Sequence, residues 1–315
     1  MLLFITDRCP VGCHHCSVDS RPDSPMIADF ELFAVILDWM CANQALSIIG
    51  ISGGEPFVER RGLTLAIRRF AAAGKRLVVF TSGVWAAADV PRWVREHLAL
   101  LDCVYLSTDG FHARTITDQC FVRAARAIAD AGPWIVVQVV DTDGDSRARA
   151  ERLLASALGE RWDERAEVNV IAPLANGRGA DTFKLTARAK GHTYGPCSLV
   201  RSPMIRYDGT LLGCCNEDVI MGHGPSRLRR QARTAQDIEQ IVDGFHRDPL
   251  LRVIGDTGLG VLSEHGRFSD LAHRRFSNNC ELCWTILDRM PEGTDSLLNA
   301  IAALGVENNH HENPR

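Results

Sequence analysis

Short apolar runs alternate with stretches of helical period through the first 180 or so residues. The runs at 2–6, 47–52, 77–82, 104–107, 134–140 and 167–172 are dense in Val, Ile or Leu. That is the composition of parallel strands covered on both faces. Between them, apolar residues recur at helical spacing over 28–42, 63–73, 90–98, 119–131 and 146–157. Gly74, Gly132 and Gly159 follow three of these stretches as stop signals, and Asp118 and Asp145 stand where N-caps are expected. Six strand–helix units predict an α/β fold, a partial (β/α)6 TIM-like barrel over 1–190, with its chemistry at the carboxyl ends of the strands. Past residue 190 the pattern gives way to Gly, Pro, Cys and short turns, which predicts a small metal-held domain over 191–290. A C-terminal helix and a polar, disordered tail are expected over 291–315. No internal repeat is visible.

Composition narrows the class. A chain of 315 residues, 46% hydrophobic and 23% charged, can bury a substantial core without staples. A net charge of −4 gives no electrostatic reason to expect nucleic acid or an anionic membrane. Arg227, Arg229, Arg230 and Arg233 read as a solvated helix face. No segment reaches the roughly 18 uncharged apolar residues of a membrane span. The apolar opening over 1–7 is too short for a signal peptide. A cytoplasmic setting is therefore expected, where clustered cysteines argue for metal over disulfides.

The cysteines then change the picture. Cys9, Cys13 and Cys16 lie in the run Cys-Pro-Val-Gly-Cys-His-His-Cys, spaced C-x3-C-x2-C, directly after the first strand. One loop thus offers three thiolates, one fewer than a closed cuboidal iron–sulfur site needs, so one iron stays open to another ligand. At the end of the second strand stands Ile51-Ser52-Gly53-Gly54-Glu55-Pro56. Its Gly-Gly pair lets backbone amides approach a ligand, and Glu55 can accept from an ammonium group. With these motifs in this order, residues 2–180 resemble the radical S-adenosylmethionine (radical SAM) superfamily.

That resemblance implies a 4Fe–4S cluster on Cys9, Cys13 and Cys16, whose open iron chelates the amino and carboxylate groups of S-adenosylmethionine. Reduction would release a 5′-deoxyadenosyl radical, with a flavodoxin- or ferredoxin-type protein as the electron source. By the same resemblance, Gly53, Gly54 and Glu55 hold the methionyl amine and His15 packs near the adenine. Thr81, Ser82, Ser107 and Asp109 match positions that contact the ribose or the methionyl carboxylate, and Asn169 is a further adenine-contact candidate.

The second half carries its own signature. Cys197, Gly209 and Cys214 fit C-x11-G-x4-C, Cys280 and Cys283 form C-x2-C, and 204–214 reads as a hairpin turning at Asp208-Gly209. A structural zinc on four cysteines fits this spacing. Placed after a radical SAM region, the arrangement also resembles the twitch domain, the shortened form of the SPASM domain. That resemblance implies one auxiliary 4Fe–4S cluster, two in all. Asn176-Gly-Arg-Gly-Ala resembles the linker of that subfamily.

Several groups are left with open roles. Cys215 can replace Cys214 as a ligand, sit buried, or present a thiol to substrate. Cys120, in the first turn of a helix near the reactive face, is either a second such thiol or core. Cys41 and Cys103 read as core. His112 can act as a general base, bond a substrate or shape its loop. The expected reaction is epimerisation of a small polyol, sugar or aminocyclitol, with hydrogen returned by a thiol. Dehydrogenation with the auxiliary cluster as electron acceptor is one alternative, and radical modification of a ribosomal precursor peptide is another. A small molecule is favoured because no peptide-recognition domain precedes the first strand. An iron–sulfur electron carrier would leave the open three-cysteine site without a purpose.

Overall fold

The computed structural model describes residues 1–142, 144–184 and 188–290, with 296, 298 and 299. The helix and tail expected over 291–315 lie outside the described residues but for those last three. The chain divides into two compact units.

The first unit runs over Met1–Lys184 and takes in Ile205–Gly209. Its strands are β1 (Leu2–Phe4), β2 (Ile48–Ser52), β3 (Arg76–Thr81), β4 (Cys103–Ser107), β5 (Trp134–Val140) and β6 (Ala166–Ile171). They pair in chain order and all in parallel. Helices α1 (Phe30–Ala42), α2 (Arg60–Ala72), α3 (Arg92–Leu98), α4 (Asp118–Ala131) and α5 (Asp145–Leu158) follow the first five strands. The six expected strands and five expected helices therefore all form, with ends shifted by a few residues at most. Ile49, Ile51, Leu77, Val79, Val104, Leu106, Ile135 and Val137 are wholly buried along the strands. They meet helix stripes such as Phe121, Ala124, Ala125 and Ile128 of α4.

Two helix starts differ from expectation. Thr117, not Asp118, caps α4, accepting from the Cys120 N–H, and Gly144 precedes α5 with no side-chain cap. The stop signals hold: Gly132 and Gly159 end α4 and α5, and Gly74 lies just past α2, all at positive φ. A short helix, α6 (Gly179–Thr182), follows β6.

The second unit comprises the described residues within Leu185–Met204 and Thr210–Arg315. It contains β7 (Ala189–Lys190), α7 (Glu217–Ile220), α8 (Ala235–Arg247), α9 (Pro249–Asp256), α10 (Leu259–Glu264) and α11 (Asn279–Arg289). Strands β8 (Met204–Arg206) and β9 (Thr210–Leu212) flank the expected Asp208-Gly209 turn, where the Gly209 N–H donates to the Arg206 carbonyl at 3.0 Å. Strand β9 pairs antiparallel with β10 (Arg229–Gln231), and β7 with β11 (Arg275–Phe276). That second pairing assigns residues 189 and 190 to this unit, which places the division earlier than 190.

Ile205–Gly209 belongs to the first unit for an equally local reason. The Tyr207 N–H donates to the Phe4 carbonyl, and Asp7 accepts two bonds from Arg206 and one from the Tyr207 hydroxyl. The arginine run is not one solvated face: Arg227 is buried, paired through two bonds with Asp248. No described helix is long and apolar enough to cross a membrane.

Candidate active site and metal centres

The loop after β1 carries Cys9, Cys13 and Cys16, all free thiols and all partly exposed. It is fastened from two sides. On one side, the Gly54 and Glu55 N–H groups donate to the Thr6 and Arg8 carbonyls at 2.7 and 2.9 Å. A Cβ on Gly54 would lie 2.5 Å from the Arg8 carbonyl oxygen, so the close approach of these two backbones requires glycine. The two amides are thus spent on the loop's entry strand rather than aimed at a ligand.

On the other side stands Arg178, which the sequence marked only as part of a linker. Its Nε donates to the Cys13 carbonyl at 3.0 Å, and its Nη1 donates to Asp19 and to the Ser20 carbonyl. Its backbone N–H donates to the Cys16 carbonyl. Gly177, at φ 51°, lies so close that a Cβ would sit 2.7 Å from the Cys16 carbonyl oxygen. An arginine between two glycines was the available signal, but its partners lie some 160 residues away in the chain.

Glu55 is wholly buried. One of its carboxylate oxygens accepts from the Thr81 hydroxyl and the Phe57 N–H, the other from the Ser82 N–H and hydroxyl. A carboxylate has about four acceptor positions, and all are filled. Burial pushes the Glu55 carboxyl up, and these bonds oppose it. Glu55 therefore ties the end of β2 to the end of β3.

A cavity of about 190 Å³ opens beside the cysteine loop, lined by Cys13, His15, Cys16, Ser107, Asp109 and His112 together with Gln138, Ile171, Leu174 and Phe183. Asn169 is exposed on β6 and lies outside this lining, whereas its register partner Gln138 lies in it. The His15 ring stacks on Phe111 at 4.6 Å, and its Nε2 lies 3.4 Å from Asp109. Its buried Nδ1 has no hydrogen-bond partner among the described residues. Asp109 also accepts from the Phe111 and His112 N–H groups, and His112 Nδ1 lies 3.0 Å from it.

Burial disfavours a charged His112, but its contacts with Asp109 and the Cys13 thiol outweigh that and push its pKa up to about 10. Asp109 is held well below the usual carboxylate range, because bonds from His112 and His15 overcome its burial. A protonated His112 beside Cys13 is a hydrogen-bond donor. Cys120 is buried, and its thiol donates to the Gly83 carbonyl, as core. Cys41 and Cys103, read as core, are only half-buried.

In the second unit Cys197, Cys214, Cys280 and Cys283 come together. Burial pushes Cys214 and Cys280 up to about 12, and the neighbouring thiols add to the rise at each. Cys283 is raised by its own burial and by Cys214, Cys280 and Cys197. Cys9, in the first unit, is likewise pushed up to about 12 by burial. Such thiols lose their protons to a metal, not to water. Among the described residues no three cysteine sulfurs fall within 4.8 Å of one another. A single tetrahedral zinc with Zn–S bonds of about 2.3 Å would draw its thiolates to about 3.8 Å. Both cysteine sets are therefore spread more widely than one ion requires. Cys215 is half-buried, and burial raises its pKa, which keeps the thiol protonated.

Residues 3–157 match the radical SAM superfamily model, a span that includes the three-cysteine loop and Gly53–Pro56. This stretch is a radical SAM domain. Over 298 residues the chain is 19% identical to the putative peptide biosynthesis protein YydG of Bacillus subtilis (strain 168), covering 90% of each. It is similar to Streptococcus suis SuiB bound to S-adenosylmethionine at 13% identity and TM-score 0.49, over 84% of this chain and 67% of that one. It is also similar to BtrN in complex with AdoMet and 2-DOIA at 14% identity and TM-score 0.45, over 88% and 95%. Three cysteines on one loop beside a cavity fit the S-adenosylmethionine-binding cluster of a radical SAM domain.

Proposed function

We propose that this radical SAM enzyme epimerises residues of a ribosomally made peptide, with Cys215 returning the hydrogen. The observation that carries the peptide is the match to a putative peptide biosynthesis protein over 90% of both chains. That match weighs toward a peptide substrate over the expected sugar or aminocyclitol.

When bound, the cluster on Cys9, Cys13 and Cys16 with S-adenosylmethionine supplies a 5′-deoxyadenosyl radical that takes one hydrogen atom from substrate carbon. Cys215 suits the next step because a hydrogen-atom donor must carry its proton, and burial keeps this thiol protonated. Its S–H hydrogen passes to the opposite face of the carbon radical, which inverts the centre. The Cys215 thiyl left behind takes one electron and one proton, the electron from a flavodoxin- or ferredoxin-type reductant.

Cys197, Cys214, Cys280 and Cys283 hold an auxiliary 4Fe–4S cluster in this reading, supported by their number and burial. The test is anaerobic turnover in deuterated water against peptide and sugar panels. Deuterium at one inverted α-carbon of a peptide is expected. Cys215→Ala is expected to form 5′-deoxyadenosine without inverted product. Inverted product from that variant would refute the donor. An oxidised, deuterium-free product would replace epimerisation with dehydrogenation, and turnover confined to sugars would remove the peptide.

A further inference from the structure

Asn216 follows the adjacent thiols Cys214 and Cys215 and is buried, with 5% of its surface exposed. Its side-chain oxygen accepts from the Asp218 and Val219 N–H groups at 3.0 and 3.3 Å, capping α7. Those two donors decide which end of the amide is oxygen. The NH2 end is thereby turned to the Cys280 sulfur, to which Nδ2 donates at 3.3 Å. Asn216 thus donates to one of the four sulfurs from a group whose direction is fixed.

Hydrogen bonds to the ligating sulfurs stabilise the more negative, reduced state of an iron–sulfur cluster and raise its potential. Nearby carboxylates act the other way, and Glu217 and Asp218 lie close enough to bear on Cys280. We infer that Asn216 sets the reduction potential of the auxiliary cluster through its side-chain bond to Cys280. The inference rests on the auxiliary-cluster reading above and adds its tuning residue.

The test is an EPR-monitored redox titration of the anaerobically reconstituted full chain carrying Cys9→Ala, Cys13→Ala and Cys16→Ala, which isolates the auxiliary cluster. Asn216→Ser keeps a capping oxygen for α7 and deletes the amide donor. Asn216→Asp keeps cap and size and places a negative charge beside Cys280. The midpoint potential is expected to fall in the Ser variant and further in the Asp variant, with iron and sulfide content unchanged. An unmoved midpoint in both, at full cluster content, overturns the inference. Loss of the cluster from both variants, with circular dichroism showing them folded, also overturns it, because Asn216 would then serve assembly and not tuning. If the parent protein itself takes up no iron, the auxiliary cluster fails, a result distinct from an unmoved potential.

Discussion

Arg178 holds the cysteine loop through its guanidinium and its backbone N–H together, reaching Cys13, Cys16, Asp19 and Ser20. Bonds from a charged donor of this kind contribute about 2 kcal/mol in total when partly buried. Arg178→Ala is expected to destabilise the metal-free chain by that order, read as a fall in its melting temperature. It should also speed chelator removal of iron from the first cluster, while the auxiliary cluster's iron leaves at the wild-type rate. Arg178→Lys can keep a point charge near Asp19 but cannot span the same acceptors, so partial rescue is expected. The Asp19 end of this contact depends on pH. Burial raises the Asp19 carboxyl, but bonds from Arg178 and Arg21 outweigh it and hold it below its ordinary 3.8. A carboxyl held low contributes stability that is present above its ordinary value and lost as pH falls through the depressed one. The difference in melting temperature between metal-free wild type and Asp19→Asn should therefore shrink below about pH 4. A constant difference would remove the charge from this role.

Among the elements, α11 matters most to the second unit because it delivers Cys280 and Cys283, three residues apart on one face. Asn278 caps it, accepting from the Glu281 N–H at 2.9 Å. Asn278→Ala is expected to cost about 1 kcal/mol and to loosen the proposed auxiliary cluster alone, checked by thermal melts and iron retention. The strands and helices of the first unit were legible because parallel strands are apolar on both faces and their helices repeat at 3.6 residues. The cysteine loop was legible because all of its thiols lie within eight residues. The cap of α4 was misplaced by one position, since Thr117 and Asp118 can both cap and backbone dihedrals decide between them. The hydrogen-bond partners of Glu55 were not legible in the sequence. Its partners Thr81 and Ser82 lie on the next strand, so its filled carboxylate is a product of tertiary structure. Asn216 was invisible for the same reason: its bond to Cys280 spans 64 residues.

At the scale of the molecule, the chain builds two sites in two compact units. The first has three thiols and a cavity of about 190 Å³ beside them; the second gathers four thiols with Cys215 adjoining. A set of three would leave a metal position open for chemistry, whereas a set of four would saturate the proposed auxiliary cluster. Cys280→Ala with Cys283→Ala is accordingly expected to remove half of the bound iron and leave the first cluster's spectrum intact. The measurement that bears most directly on the whole account is 5′-deoxyadenosine formation by anaerobically reconstituted protein given S-adenosylmethionine and a strong reductant. Wild-type protein is expected to produce it, and Cys9→Ala, Cys13→Ala or Cys16→Ala protein to produce none. Wild-type protein with spectroscopically intact clusters that yields no 5′-deoxyadenosine, with or without peptide substrates, would contradict the account.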